Sequence, residues 1–406
     1  MREMKDSGVE WIGKIPAHWN PIRFRFIAKI TTGNQDTQNA DPDGEYPFYV
    51  RSPIVERCNN YTFDGKGILM AGDGAGAGRV FHLVDGKYAV HQRVYRFYDF
   101  KYMDPVLLKY YLENLFATVM DYGSAKTTVP SVRLPMIQDF VVCVPPEKEQ
   151  NNIIAVLNKK CAQVDTLIAN VQTQIEKLKA YKQSLITEVV TKGLDPTVPM
   201  KDSGVEWIGE IPEHWDVKRG KALFRENDAR SNDGSEELLT VSQYTGITPR
   251  SQKNVNMFEA LSLEGYKICE IGDIAANTMW LWAGAIGVSE YRGVISPSYN
   301  VYRQRENNFV PQYLDHLLRA PMLVQEYASL STGIRASRLR LYPKDFFNIL
   351  FPVPPIDEQQ TILDTLNSKF SAVDRLITIK QTKIEKLEQY KRSLIFEYVT
   401  GKREVM

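Results

Sequence analysis

Residues 5–19 read KDSGVEWIGKIPAHW and residues 201–215 read KDSGVEWIGEIPEHW, so thirteen of fifteen positions recur at an offset of 196. A second recurrence joins residues 144–193, beginning VPPEKEQNNIIAVLNKK, to residues 353–402, beginning VPPIDEQQTILDTLNSK; 27 of 50 positions agree at an offset of 209 without a gap. The stretches between them, 20–143 and 216–352, agree poorly. A repeat on this scale decides architecture before any local reading does. It orders the chain as entry motif, variable segment and repeated tail, followed by the same three again. At 406 residues the chain is also too long for one ordinary core.

The repeated tail reads as a long helix. Pro145 and Pro146 block helix upstream, because proline lacks an N–H and restrains its predecessor. Glu147 and Glu149 then place negative charge on the first turn, where the helix dipole favours it. Apolar residues follow at spacings of three and four: Ile154, Leu157, Cys161, Val164, Ile168, Val171, Ile175, Leu178, Leu185 and Val189, with Lys182 breaking the seam. The second copy supplies Leu363, Leu366, Phe370, Val373, Ile377, Ile384, Leu387, Leu394 and Tyr398, interrupted by Lys380 and Lys391. A period of 3.5 sustained this long predicts a coiled coil. Gly193 and Gly401 stand where helix stops belong.

A helix of about 45 residues is roughly 65–70 Å long and cannot bury its apolar stripe alone. The second copy offers a partner of matching length and register within the chain; pairing between two chains is the alternative. An antiparallel pair would relate the copies by an approximate two-fold axis, set the variable segments at opposite ends and return Thr400 to Met4 and Asp6. A parallel pair would bring those segments together.

The variable segments predict a mixed α/β fold with more strand than helix. Alternating runs in 80–98 break at Asp85-Gly86, a hairpin signal. Residues 105–121 and 311–329 are amphipathic, open on proline and lie at equivalent places, so one helix is expected in each. The fold class is therefore α+β: two pseudo-symmetric domains separated by two long helices in an intramolecular antiparallel coiled coil. The expected boundaries are 1–146, helix 147–193, 194–355, helix 356–402 and a tail at 403–406.

Chemistry is scarce. Four cysteines, Cys58, Cys143, Cys161 and Cys269, form no C-x-x-C pair, so neither zinc nor a disulfide framework is expected. No apolar run approaches the roughly 18 residues of a membrane span and the first ten residues are polar, which predicts a cytoplasmic protein. The G-x-x-x-x-G-K-[ST] nucleotide loop and the [DN]-P-P-[YF] tetrapeptide of amino-methyltransferases are both missing. The glycine-rich run 72–79 reads as a tight turn or a DNA-facing loop; no helix pattern follows it, as a dinucleotide site would require. His18 and His214 belong to the entry motif and are expected to pack on Trp11 or Trp207. No catalytic residue, metal or cofactor is expected.

Two diverged segments alternating with two near-identical helices, G-V-E-W-I-G-x-I-P-x-H-W before each segment and V-P-P-x-x-E-Q at each helix start, resemble the specificity subunit of Type I restriction–modification enzymes over essentially the whole chain. The resemblance implies two target-recognition domains, each reading half of a split, asymmetric site in double-stranded DNA. It implies that the helices act as a ruler and as a platform for two DNA-adenine methyltransferase subunits, which restriction subunits join. A duplicated scaffold that binds only protein is the competing reading.

Net charge is +1, and residues 20–146 hold fourteen Lys/Arg against thirteen Asp/Glu, so DNA contacts must come from local clustering. Side chains able to reach base edges mark the candidates. In the first segment they are Arg51, Ser52, Arg79, His91, Gln92, Arg93, Lys126 and Thr127. In the second they are Gln243, Tyr244, Arg250, Asn277, Thr278 and Trp280, then the basic run Arg335, Ser337, Arg338, Arg340 and Lys344. Each has a plainer reading: Trp280 and Trp282 as core or turn packing, and a surface arginine as a solvated charge.

Overall fold

The computed structural model describes residues 2–123, 130–253, 262–333 and 339–405, the side chains of 119–123 excepted. The chain divides into two compact units, Met1–Gln172 with Gln381–Met406, and Thr173–Lys380. Both divisions cut through the long helices Glu147–Lys192 and Ile356–Val399, so each unit owns part of both.

The first unit is built on a four-stranded antiparallel sheet in the order Lys29–Thr32, Val94–Tyr98, Gly67–Ala71, Phe81–Val84. Gly67–Ala71 is buried along its whole length. Ile68 and Met70 join the core beneath helix Pro105–Gly123, while Leu69 meets Tyr88 and Val90 on the other face. Alternate residues thus serve two layers, which is why this strand is continuously apolar. The second layer has the order Glu56–Cys58, Tyr46–Tyr49, Lys87–Val90, Phe63–Asp64, with a parallel pair at its centre. The hairpin expected at Asp85-Gly86 does not form. Gly86 makes a left-handed turn, but Phe81–Val84 and Lys87–Val90 pair in different sheets. Burial of Tyr88 and Val90 against Leu69 makes this turn a crossover between layers.

The second unit repeats the first sheet, in the order Phe224–Glu226, Asn300–Gln304, Ile274–Ala276, Ile286–Val288, again antiparallel throughout. The single helix expected at 311–329 is two, Pro311–Leu318 and Pro321–Leu330. Pro321 has no N–H to donate and crowds the turn before it, which drives Ala320 to an extended conformation.

Each domain closes on itself before its helix begins. Asn20–Arg23 pairs antiparallel with Val141–Val144, and Asp216–Arg219 with Leu350–Val353. The helices then pair antiparallel. In the first unit Leu157 and Cys161 share a core with Leu394 and Tyr398, and Asp165 Oδ1 receives Lys391 Nζ at 2.7 Å. In the second, Leu185 and Val189 share a core with Leu363 and Leu366, and Lys182 Nζ reaches Asp374 at 2.8 Å. At the repeat offset of 209, Asp165 corresponds to Asp374 and Lys182 to Lys391, so one interhelical ion pair is made twice. The lysines that interrupt the apolar seam are therefore cross-helix partners. A polar residue at a seam position specifies register at some expense in stability. Lys182 also lies 4.6 Å from the Phe370 ring centroid, and Lys380 Nζ contacts Gln174 Oε1 at 2.5 Å. Along the seam Leu157, Val164, Val171, Ile175, Leu185, Leu366, Val373, Ile384 and Leu394 are buried; Ile168, Leu178, Phe370, Ile377 and Leu387 are half-buried.

Candidate nucleic-acid interface

The repeated motifs meet at the root of each domain. Glu149, in the first turn of its helix, accepts from Trp19 Nε1 at 2.9 Å and Arg2 Nη1 at 2.8 Å, and pairs with His18 Nε2 at 2.9 Å. Glu358 makes the same contacts with Trp215 and His214, at 2.9 and 2.8 Å. The buried neighbour Gln150 donates to Tyr102 O and Pro145 O and accepts from Asp104 N. Gln359 donates to Asn308 O and Pro354 O and accepts from Val310 N. I-P-x-H-W and V-P-P-x-x-E-Q are thus two halves of one clamp. The expected packing on Trp11 or Trp207 is not what holds the histidines here: each is bound to one of these half-buried carboxylates, because an anion draws the polar edge of an adjacent imidazole. Arg2 also donates to Gly401 O, tying the second helix's end to the chain's first residues.

The Glu149 carboxyl is shifted by its partners. Burial pushes the Glu149 carboxyl up, but hydrogen bonds from His18, Trp19 and Arg2 outweigh it and hold the group below its ordinary 4.5. With a lowered folded value, the folded chain binds fewer protons than the unfolded one across that window, so the stabilisation is present above pH 4.5 and lost as pH falls through the folded value. Glu149→Gln is expected to cost about 1–3 kcal/mol at neutral pH. It should also flatten the loss of stability under acid. Chemical denaturation at a series of pH values measures both, and parallel profiles would refute the assignment.

The domain surfaces carry the candidates. In the first, the turn 72–80 joins the central strand Gly67–Ala71 to the edge strand Phe81–Val84, and Asp73 collects two arginines from elsewhere in the chain. Arg51 Nη1 lies 3.0 Å from Asp73 Oδ1, and Arg93 Nε lies 3.8 Å from Oδ2. Both arginines are exposed. His91 is buried: its Nδ1 accepts the Arg93 backbone N–H at 3.0 Å, which puts the proton on Nε2, 3.5 Å from Thr37 Oγ1. Burial first, then the Arg51 cation, hold its imidazole below the ordinary histidine range, so it is neutral at neutral pH. Gln92 donates to Asp36 at 2.8 Å. Ser52 Oγ accepts from Ile54 N, and Arg79 is exposed on the same turn. Lys126 and Thr127 lie outside the described residues. Sequence reasoning passed over Asp73 and Asp36; the aspartate inside a glycine run was the available signal.

In the second domain the turn 277–285 occupies the same place in the same sheet and has different chemistry. Trp280 and Trp282 stack with centroids 5.7 Å apart and planes 24° apart. Trp280 is half exposed, and Trp282 Nε1 donates to Met279 O. Asn277 is buried with its amide on Tyr299 Oη, and Thr278 Oγ1 donates to Ser298 O. Tyr244 is 82% exposed at the 239–249 hairpin, beside half-buried Gln243 and Arg250. Arg340 is half-buried and bridges Thr332 through its backbone; Lys344 is exposed. Arg335, Ser337 and Arg338 lie outside the described residues. No single cluster holds all these positions: the 72–80 turn gathers Arg51 and Arg93, whereas Tyr244 and Trp280 stand on separate turns.

A family model described as the Type I restriction modification DNA specificity domain matches residues 16–179. The chain is 29% identical over 391 residues to the Type I restriction enzyme EcoDI specificity subunit of Escherichia coli, covering 90% of this chain and 84% of that one. It is 25% identical over 421 residues to the MjaVIII specificity subunit of Methanocaldococcus jannaschii, covering 97% and 94%. A solved chain from work on complex assembly and conformational transition of the type I R-M system superposes with a TM-score of 0.65 at 15% identity, covering 96% of this chain and 99% of that one, a likeness of fold. Over nearly its whole length, this chain is similar to the specificity subunits of Type I restriction–modification enzymes, and its residues 16–179 match the DNA specificity domain of that family.

Proposed function

We infer that this chain is the non-catalytic DNA-reading subunit of a Type I restriction–modification complex and that it reads a bipartite, asymmetric site. One observation carries the reading. The same clamp and the same sheet occur twice, under turns as unlike as 72–80 and 277–285. A scaffold has no use for two different surfaces on identical supports. Target recognition is assigned to 1–146 and 194–355, with the intervening helices 147–193 and 356–402 and a tail at 403–406. Base and phosphate contacts are assigned to the candidate side chains of each domain, including those at 126–127 and 335–338.

The helices serve the protein partners. The first unit exposes Leu167 and Tyr390, and the second exposes Leu376 and Tyr181. These are the same two residue types at repeat-equivalent positions, so the chain exposes one pair of apolar side chains twice. Such a pair fits two copies of one partner, the methyltransferase subunit, with restriction subunits joining that assembly. No helix among the described residues is long and apolar enough to cross a membrane. We place the protein in the cytoplasm, with the DNA it reads.

The test is selection from a random duplex library by the chain assembled with methyltransferase subunits, under rising salt. The expected result is one motif with two fixed halves and a constant gap, and log affinity falling linearly with log salt. A stable protein complex that enriches no sequence would establish the scaffold reading instead.

A further inference from the structure

The turn 72–80 is shaped to bring Arg51 and Arg93 to one place. A Cβ on Gly72 would stand 2.8 Å from Arg93 O, and one on Gly76 would stand 2.6 Å from Arg51 O. The glycines therefore sit where the two arginine-bearing backbones press on the turn. Gly74, between them, and Gly78, just beyond, take left-handed φ of 75° and 64°. Gly72 is further pinned by its N–H to Arg93 O at 2.9 Å and its carbonyl to Val132 N at 2.8 Å. Asp73, held between these anchors, ion-pairs with both guanidinium groups. The buried His91 accepts the Arg93 backbone N–H and fixes the root of that side chain.

The charge of the cluster selects its ligand. Around the buried His91, Arg51 and Arg93 are balanced by Asp73 and the nearby Asp36, while Arg79 on the same turn adds one positive charge. Phosphate contact rewards net positive charge, and carboxylates oppose it. Base edges reward oriented donors instead. A guanidinium has five N–H donors, so one edge on Asp73 leaves donors for a second ligand. In the major groove guanine alone presents two adjacent acceptors, O6 and N7; adenine, cytosine and thymine each set a donor or a methyl beside what acceptors they have. Holding both side chains in advance lowers the entropy lost on binding.

We propose that Arg51 and Arg93 read guanine in the half-site of the first domain, with Asp73 as the residue that positions them. This rests on the DNA-reading function inferred above and adds the class of base. The opposite half-site, under the stacked tryptophans, provides an internal control.

The experiment is the same library selection on the assembled complex, comparing the unchanged chain with Arg93→Ala, Arg51→Lys and Asp73→Asn. Arg93→Ala is expected to relax preference at one G·C pair of one half-site by roughly 5- to 150-fold, leaving the other half-site intact. Arg51→Lys keeps the charge but not the planar fork and is expected to relax preference as well. Asp73→Asn should blur the same G·C position without lowering total affinity at low salt, and should steepen the salt dependence, because an anion has been removed. Retention of the second half-site by each variant shows that the chain remains folded. If the variants keep every base preference while affinity falls evenly, the arginines contact phosphate and the proposal is overturned. If the unchanged chain selects no motif, the DNA-reading function itself fails, a result distinct from the first.

Discussion

Trp215→Ala is expected to destabilise the second unit by about 3–5 kcal/mol, the range for deleting a buried tryptophan. Trp215 is fully buried among Ile208, Ile211 and Val190, at the junction of the entry motif, the domain and the second helix. Its loss opens a cavity and removes the indole donor to Glu358. At roughly 2–4 °C per kcal/mol for a unit of this size, the thermal transition should fall by about 6–20 °C. Trp215→Phe, which loses the N–H and one ring of the indole but keeps part of the packing, should cost less. Enrichment of the second half-site should be lost before that of the first, and Trp19→Ala should reverse the order. A transition displaced by under about 2 °C would show that the clamp does not hold the domain root.

Arg303→Met is expected to cost about 3–5 kcal/mol, because it leaves a carboxylate buried without its cation. Asp273 is nearly inaccessible, and Arg303 meets it through two bonds of 2.7 Å, Nε to Oδ1 and Nη2 to Oδ2. The Glu270 backbone N–H adds a third, at 3.0 Å. Adding Asp273→Asn should recover much of the loss, since a neutral amide needs no counter-charge. Urea denaturation of the single and double variants measures the coupling. A single variant within about 1 kcal/mol of the unchanged chain would show that Asp273 does not need its partner.

Some of the site was legible in the residues and some was not. Both helices could be read from their seams, because heptad periodicity and proline punctuation are local. Lys182 and Lys391 looked like defects in that pattern. They became an interhelical ion pair only once Asp374 and Asp165 stood opposite them, and no periodicity within one helix indicates what faces it. The break at Pro321 was written in the chain but was overridden by a strong amphipathic pattern on either side. The Asp85-Gly86 turn was identified correctly as a turn and wrongly as a hairpin, because turn chemistry does not say which strands pair.

The sequence by itself determined the plan of this protein: two copies, two long helices, two domains of one fold and two repeated motifs. Repetition and periodicity are one-dimensional properties and survive without coordinates. Only the tertiary structure decided that Glu149 and Glu358 close on the tryptophan and histidine of the entry motifs, more than a hundred residues away. It alone decided that Asp73 gathers Arg51 and Arg93 from separate segments, and that the equivalent turn of the second domain presents stacked tryptophans. Such sites depend on which surfaces long-range packing brings within hydrogen-bonding distance, and spacing along the chain does not specify that distance.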